Sequence, residues 1–172
     1  MRLPPCFLYN SIAMKKTPQL TVKRIDHEDS LWKTRFNSFY SDCSVKKLHG
    51  QAHAYFAAFA GEEIAGHCVI YRGKGRWIMD GLRVAPEWRE KGVAKALTAA
   101  RITYAASKGA KEIWYHCEDG NLVTTCCHIR FGFEKVCTPS GACTPASVNW
   151  YRLRITPELI RRLPSLGGQQ AA

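Results

Sequence analysis

The stretch Leu82-Arg83-Val84-Ala85-Pro86-Glu87-Trp88-Arg89-Glu90-Lys91-Gly92-Val93-Ala94-Lys95 decides how this chain is read. It begins as the end of a strand running from Trp77 to Val84, which Pro86 stops because proline has no N–H to give a ladder. After Gly92 the pattern changes period. Val93, Leu97, Ala100 and Tyr104 recur at i, i+4, i+7 and i+11, the spacing of one helical face, and Gly109 is the expected C-terminal stop. The helix therefore opens on Gly92, Val93 and Ala94. Small side chains there let a ligand reach the backbone, and first-turn N–H groups without a partner inside the helix form a positive nest for phosphate oxygens. Arg89, Lys91 and Lys95 add formal charge, so a pyrophosphate suits this turn.

Working towards the N-terminus, Arg72-Gly73-Lys74-Gly75-Arg76 reads as a solvated turn, because its Gly-Lys-Gly is too short for a dinucleotide fingerprint and leads into a strand. Before it, Ala52 to Ala60 and Ile64 to Tyr71 form an expected hairpin around Gly61-Glu62-Glu63. Leu31, Trp32, Phe36, Phe39 and Tyr40 put an aromatic stripe on a helix after the cap-type residues Asp26 to Ser30, and Leu20 to Ile25 alternates as a strand. The stripe is expected to be core. Towards the C-terminus come a strand from Glu112 to Cys117, a short helix from about Asn121 to Arg130, strands at Phe133 to Thr138 and Val148 to Ile155, and a last helical turn from Glu158 to Leu163 opened by Pro157. The order predicts an α+β domain with a mainly antiparallel sheet and one crossover. One domain over residues 19–163 is expected, between a disordered extension, 1–18, and a flexible tail, 164–172. Met14 is an alternative start to Met1.

Composition narrows the function. With 172 residues, 46% of them hydrophobic, the chain can build a core, and its apolar runs fall far short of the roughly 18 to 20 residues a membrane span requires. The first 13 residues, interrupted by Pro4, Pro5 and Asn10, make a poor export signal, so the expected address is the cytoplasm, with the eight cysteines as reduced thiols. A net charge of +11 favours anionic ligands. It is dispersed, with no Lys/Arg run longer than two, which argues against a nucleic-acid face. Cys117, Cys126, Cys127, Cys137 and Cys143, with His116 and His128, lack any Cys-x-x-Cys pair, so no metal is expected. A nucleophilic Cys127 would need a base in contact, which adjacency to His128 on a helix does not provide.

In motif and element order, residues 19–155 resemble the GNAT acyltransferase superfamily, which uses acetyl-CoA or another acyl-CoA. The carriers are Leu82-Arg83-Val84-x-Pro86, Arg89-x-x-Gly92-x-Ala94, Asn121 seven residues before His128, and Gly132-Phe133. The resemblance implies a GNAT-like mixed sheet with splayed central strands forming an acyl-CoA cleft. It implies CoA phosphates on the backbone of Arg89, Glu90, Lys91, Gly92, Val93, Ala94 and Lys95, pantetheine and the thioester carbonyl against the main chain at Leu82, Arg83 and Val84, and Asn121 facing the cofactor. Where this chain has His128, the family often has a Tyr that protonates the leaving thiolate. An imidazole is only about a quarter protonated at pH 7, so His128 would be a less constant acid.

The implied reaction is transfer of an acetyl (acyl) group from acetyl-CoA to a primary amine by direct attack, with the amine on a small molecule or a protein. It requires a base or a water chain, since the free amine has a pKa near 10. Candidates are Asp80, His116 and Glu118. Asp80 shares parity with Leu82 and Val84 and would face the site unless a bulge shifts the register. The acceptor wall is expected from residues 31–48 and from residues 137–147. The identity of the amine stays open, and the oligomeric state is expected to be monomer or homodimer. The alternative is a basic binding or sensing module that keeps the CoA-binding fold with little or no catalysis.

Overall fold

Two strands rich in apolar residues, HAYFAAFA and EIAGHCVIYRG, lie next to each other inside the sheet, and Ala54 to Ala60 of the first and Ile64 to Ile70 of the second are buried. An uninterrupted apolar run of this kind suits a strand covered on both faces. A computed structural model of the protein describes residues 19–26, 52–140, 142 and 144–168. The expected extension, 1–18, and the aromatic stripe and acceptor wall within 31–48 lie outside the described residues.

Four consecutive strands, β1 (Leu20–Ile25), β2 (His53–Ala60), β3 (Glu63–Gly73) and β4 (Arg76–Val84), form an antiparallel half. The helix α1 (Val93–Ser107) then crosses over to β5 (Glu112–Glu118), which lies parallel to β4. After α2 (Leu122–Ile129), β6 (Glu134–Val136) and β7 (Val148–Arg154) complete a seven-stranded sheet of order β1-β2-β3-β4-β5-β7-β6, and α3 (Pro157–Leu166) follows. The α+β sheet and its single crossover agree with the sequence reading. The last helix runs three residues beyond the expected Leu163, because Leu159, Leu163 and Leu166 pack into the main core.

The sheet has two apolar faces. On one, α1 lays Val93, Leu97, Ile102 and Ala105 against Phe56, Ala58, Cys68, Ile70, Trp77 and Met79. Each fully buried Leu or Ile there stabilises the fold by about 1.5–3 kcal/mol relative to exposure. On the other face lie Ile25, Tyr55, Phe59, Ile64 and Val69, and further along the sheet Ile78, Trp114 and Trp150. The helix stop is as expected: Gly109 has φ +76° and Ala110 N–H donates to the Ala105 carbonyl, a Schellman closure.

Candidate active site

The parallel pair at the centre of the sheet is short. β4 and β5 are in register only at Trp77 with Ile113 and at Ile78 with Trp114, so beyond those residues no ladder joins the two strands. A cleft opens between their C-terminal ends.

β4 carries a bulge at the cleft. Val69 pairs with Asp80 and His67 with Arg83, so Gly81 and Leu82 together oppose Cys68. Gly81 takes φ +59°, where a side chain would be strained, and its N–H donates to Asp80 Oδ1 at 2.7 Å. The extra residue reverses which side chains face α1. Before it Trp77 and Met79 pack in the α1-side core; after it Leu82 and Val84 do. Asp80 therefore shares the face of Ile78, opposite Leu82 and Val84, and the parity expected from the sequence is corrected. His116 occupies the same face of β5, two residues beyond Trp114 and 4.7 Å from the Trp150 ring. The connection after β6 reaches this face too: Ala142 packs against its apolar cluster and Thr144 Oγ1 accepts from Trp150 Nε1 at 3.0 Å. Glu118 lies exposed at the end of β5.

At the end of β4 a 3-10 turn, Pro86–Trp88, leads to α1. It is anchored by Trp88, buried and donating from Nε1 to Glu63 Oε1 at 3.0 Å, with Lys91 Nζ 4.9 Å from its ring. Glu90 and Gly92 both have positive φ, 62° and 86°. Gly92 is the N-cap, supplies no side-chain cap, and a Cβ built there would meet nothing within 4 Å. The first turn of α1 contains no acidic residue. The start of a 15-residue helix with its macrodipole faces open space at Gly92, the cations Arg89, Lys91 and Lys95 flank it in sequence, and the residues fit a phosphate group. Asn121 is exposed and is the N-cap of α2, its side-chain oxygen accepting from Thr124 N–H at 3.1 Å.

On the α1 side of the cleft sits a buried polar cluster. His128 is 2% exposed, stacked on Tyr115 at 4.2 Å and edge-on to Phe133 at 5.4 Å. Its Nδ1 lies 2.8 Å from the Thr124 carbonyl and its Nε2 3.5 Å from Arg101 Nη2. A carbonyl only accepts and a guanidinium only donates, so Nδ1 carries the proton and Nε2 is the acceptor. Burial, reinforced by the Arg101 charge and opposed by the Thr124 carbonyl, lowers the His128 pKa to about 3. At neutral pH the ring is uncharged. Burial likewise raises the Cys127 thiol, so it is protonated rather than a ready nucleophile. Burial, with the Cys117 thiol second and Thr125 opposing, also raises the Tyr115 hydroxyl. No group of three or more His, Cys, Asp or Glu side chains comes together as a metal site among the described residues.

Arg101 is the member of this cluster that the sequence reading did not single out. It is 1% exposed, donating from Nη2 to Thr98 Oγ1 at 3.1 Å and from Nη1 to the Asp80 carbonyl at 3.4 Å. The signal was available: Arg101 stands four residues after Leu97 and eight after Val93, a charge on the apolar stripe of α1.

The family model of the Acetyltransferase (GNAT) family matches residues 21–133. The chain belongs to the GNAT family. Among solved structures it is similar to a Klebsiella pneumoniae chain assigned as an acyl-CoA N-acyltransferase, with TM-score 0.67 and 14% identity over 80% of this chain and 98% of that one. It is also similar to the ribosomal-protein-S18-alanine N-acetyltransferase of Escherichia coli, with TM-score 0.61 and 12% identity over 80% and 95% of the two chains. A Bacillus anthracis chain assigned as a streptothricin acetyltransferase and solved in complex with acetyl coenzyme A gives TM-score 0.61 and 12% identity over 80% of this chain and all (100%) of that one. At such identities the likeness is one of fold. None of the curated proteins compared matches the chain in sequence. The early end of the ladder between β4 and β5 belongs to this fold. No helix of the described residues is long and apolar enough to cross a membrane.

Proposed function

We propose that this GNAT protein is an acyl-CoA-dependent N-acyltransferase, with acetyl-CoA as donor and a primary amine, on a small molecule or a protein, as acceptor. The observation that carries the reading is the parting of β4 and β5 after Ile78 and Trp114, with the start of α1 at Gly92 lying at the end of the same β4. An extended ligand fits along that line. Its phosphates rest on the backbone from Arg89 to Lys95, and its pantetheine runs back along Leu82, Arg83 and Val84, where main-chain N–H groups polarise the thioester carbonyl.

The bulge divides the work between the two faces of the sheet. Asp80 and His116 border the face that Ala142 and Thr144 also line, so the amine approaches there. The uncharged amine attacks the carbonyl carbon, the C–S bond breaks, and the ammonium proton passes to Asp80 or to water. Asn121, three residues past the end of β5, is assigned a contact with the cofactor in addition to its capping of α2. His128 is assigned a positioning role, since a ring that stays neutral well below pH 7 has no surplus proton to donate. The site works in the cytoplasm, and its acceptor is expected to be complementary to a basic protein.

The test is a panel of amines assayed for free thiol release from acetyl-CoA, with the melting temperature measured with and without acetyl-CoA. The proposal predicts a rise in melting temperature and release with at least one amine. Stabilisation without release across a broad panel would instead favour a sensing module, and salt-sensitive DNA retention with no shift by CoA would overturn the reading. Asp80→Asn with an unaltered rate at low and at high pH would remove Asp80 as the base.

A further inference from the structure

Arg101 is a full positive charge held almost out of water, and one of its donors, Nε, has no hydrogen-bond partner. A guanidinium stays protonated in proteins, so burial cannot neutralise it, and each buried donor left unsatisfied is costly. A buried unsatisfied group calls for an explanation. The surroundings supply one. Arg101 reaches from α1 to the last β4 residue before the bulge, through the Asp80 carbonyl, and to His128 on α2, the position at which the family resemblance expects a group that handles the leaving thiolate.

We infer that Arg101 is the group that stabilises the departing CoA thiolate, taking the place of a proton donor at position 128. The inference rests on the acyltransferase reading above and deepens it. Pantetheine running back along β4 from the phosphates at Gly92 passes Val84 and then Leu82. With the thioester at Leu82, the Asp80 carbonyl that Arg101 holds is two residues further across the bulge, at most about 7 Å along the strand, so the guanidinium anchored there is the buried cation next along β4 from the sulfur. When the amine nitrogen bonds to the carbonyl carbon, the C–S electron pair leaves on sulfur. The guanidinium meets the resulting negative charge with its donors and transfers no proton. The proton lost by the amine leaves on the opposite face. Neutral His128 accepts from Nη2 through Nε2, and Thr98 Oγ1 holds the same nitrogen, so the fork is aimed without a competing anion at position 128. In a water-poor site such preset charge acts strongly on developing charge.

Two measurements test this. In the wild-type protein, the thiolate absorbance of bound CoA is followed against pH, with desulfo-CoA as the blank that removes the protein's own thiols. The bound thiol is expected to titrate at least one unit below its free value of about 8.5. A bound thiol that titrates at or above the free value overturns the inference, and the result stands whether or not any acceptor is known. The second measurement compares Arg101→Met and Arg101→Lys with the wild type. Folded Arg101→Met is expected to bind acetyl-CoA within threefold of wild type, to lose the downward shift of the bound thiol, and to lose about 100-fold in kcat, the effect of one preset donor. Arg101→Lys is expected to retain the shift in part. A folded Arg101→Met with unchanged thiol titration or unchanged kcat would contradict the role. If neither variant folds, the wild-type titration alone decides. Failure of CoA to bind the wild type would count against the acyltransferase reading itself, whereas binding with an unshifted thiol counts against Arg101 only.

Discussion

The two ends of the proposed acyl-CoA path are built by opposite means. At Arg89 to Lys95 the site is made of backbone: a positive-φ glycine, open space above it, and N–H groups at the start of α1. At Arg101, His128 and Tyr115 it is made of side chains packed nearly out of water. The first kind of site follows from local sequence, because residue type dictates whether a backbone can adopt φ +86°. The second depends on which side chains from α1, β5 and α2 meet in three dimensions.

The largest expected effect concerns the buried end and needs no substitution. His128 and His67 are both held neutral, with pKa values lowered to about 3 and about 4, chiefly by burial, with Arg101 and Arg83 respectively adding to it. A lowered pKa in the folded state means that the unfolded chain binds more protons below about pH 6.5, so stability is full above that pH and falls as pH drops towards the folded values. Each histidine is expected to remove about 2 kcal/mol of stability between pH 7 and pH 5. Thermal unfolding across that range checks it, and His128→Phe should flatten the slope. A melting temperature independent of pH would break the contrast between a dry end and a wet one.

Next in size is the backbone end. Gly92→Val places a β-branched residue at φ +86°, where strain of about 1–2 kcal/mol is expected, and puts a side chain where phosphate should lie. Acetyl-CoA affinity should fall about tenfold or more by calorimetry while the circular dichroism of the fold is retained. Unchanged affinity would remove the α1 start from the site. Arg89 and Lys91 are exposed and Lys95 is half-buried, so replacing all three with Ala should cost about three- to tenfold in affinity at low salt and less at high salt. A loss that persists undiminished at high salt would argue for direct contacts in place of a screened field.

The smallest effect sharpens the roles at the buried end. His128→Phe keeps a ring against Tyr115 and leaves Arg101 tied to Thr98 and to the Asp80 carbonyl. Its kcat should fall by less than about tenfold, below the usual contribution of a general acid, with the shape of the pH profile unchanged. A larger loss with a missing acidic group in the profile would restore His128 as proton donor.

Legibility in the sequence follows the same division. Alternation in β1, the apolar runs of β2 and β3, the period of α1 and the Gly109 stop all read correctly, because each depends on residues a few positions apart. The loop from Pro86 to Gly92 was legible for the same reason. The bulge at Gly81 was foreseen only as a condition, since a single glycine within a strand does not reveal how its partner pairs, and Asp80 changed faces on that one residue. His128 read as a helix residue of ordinary pKa because nothing local places Tyr115, Phe133 and Arg101 around it. Arg101 was within reach of periodicity, yet a cation on an apolar stripe more often reads as a side chain whose head escapes to water. Here the head stays inside.

A crystal structure of the protein with a non-hydrolysable acetyl-CoA analogue tests the central claim most directly. The expected result is a diphosphate on the N–H groups between Arg89 and Lys95, pantetheine along Leu82 to Val84 between β4 and β5, and the atom replacing sulfur within hydrogen-bond reach of the Arg101 guanidinium. An analogue bound outside the gap between β4 and β5, or one whose thioester end points away from Arg101 with α1 and α2 unmoved, would contradict it.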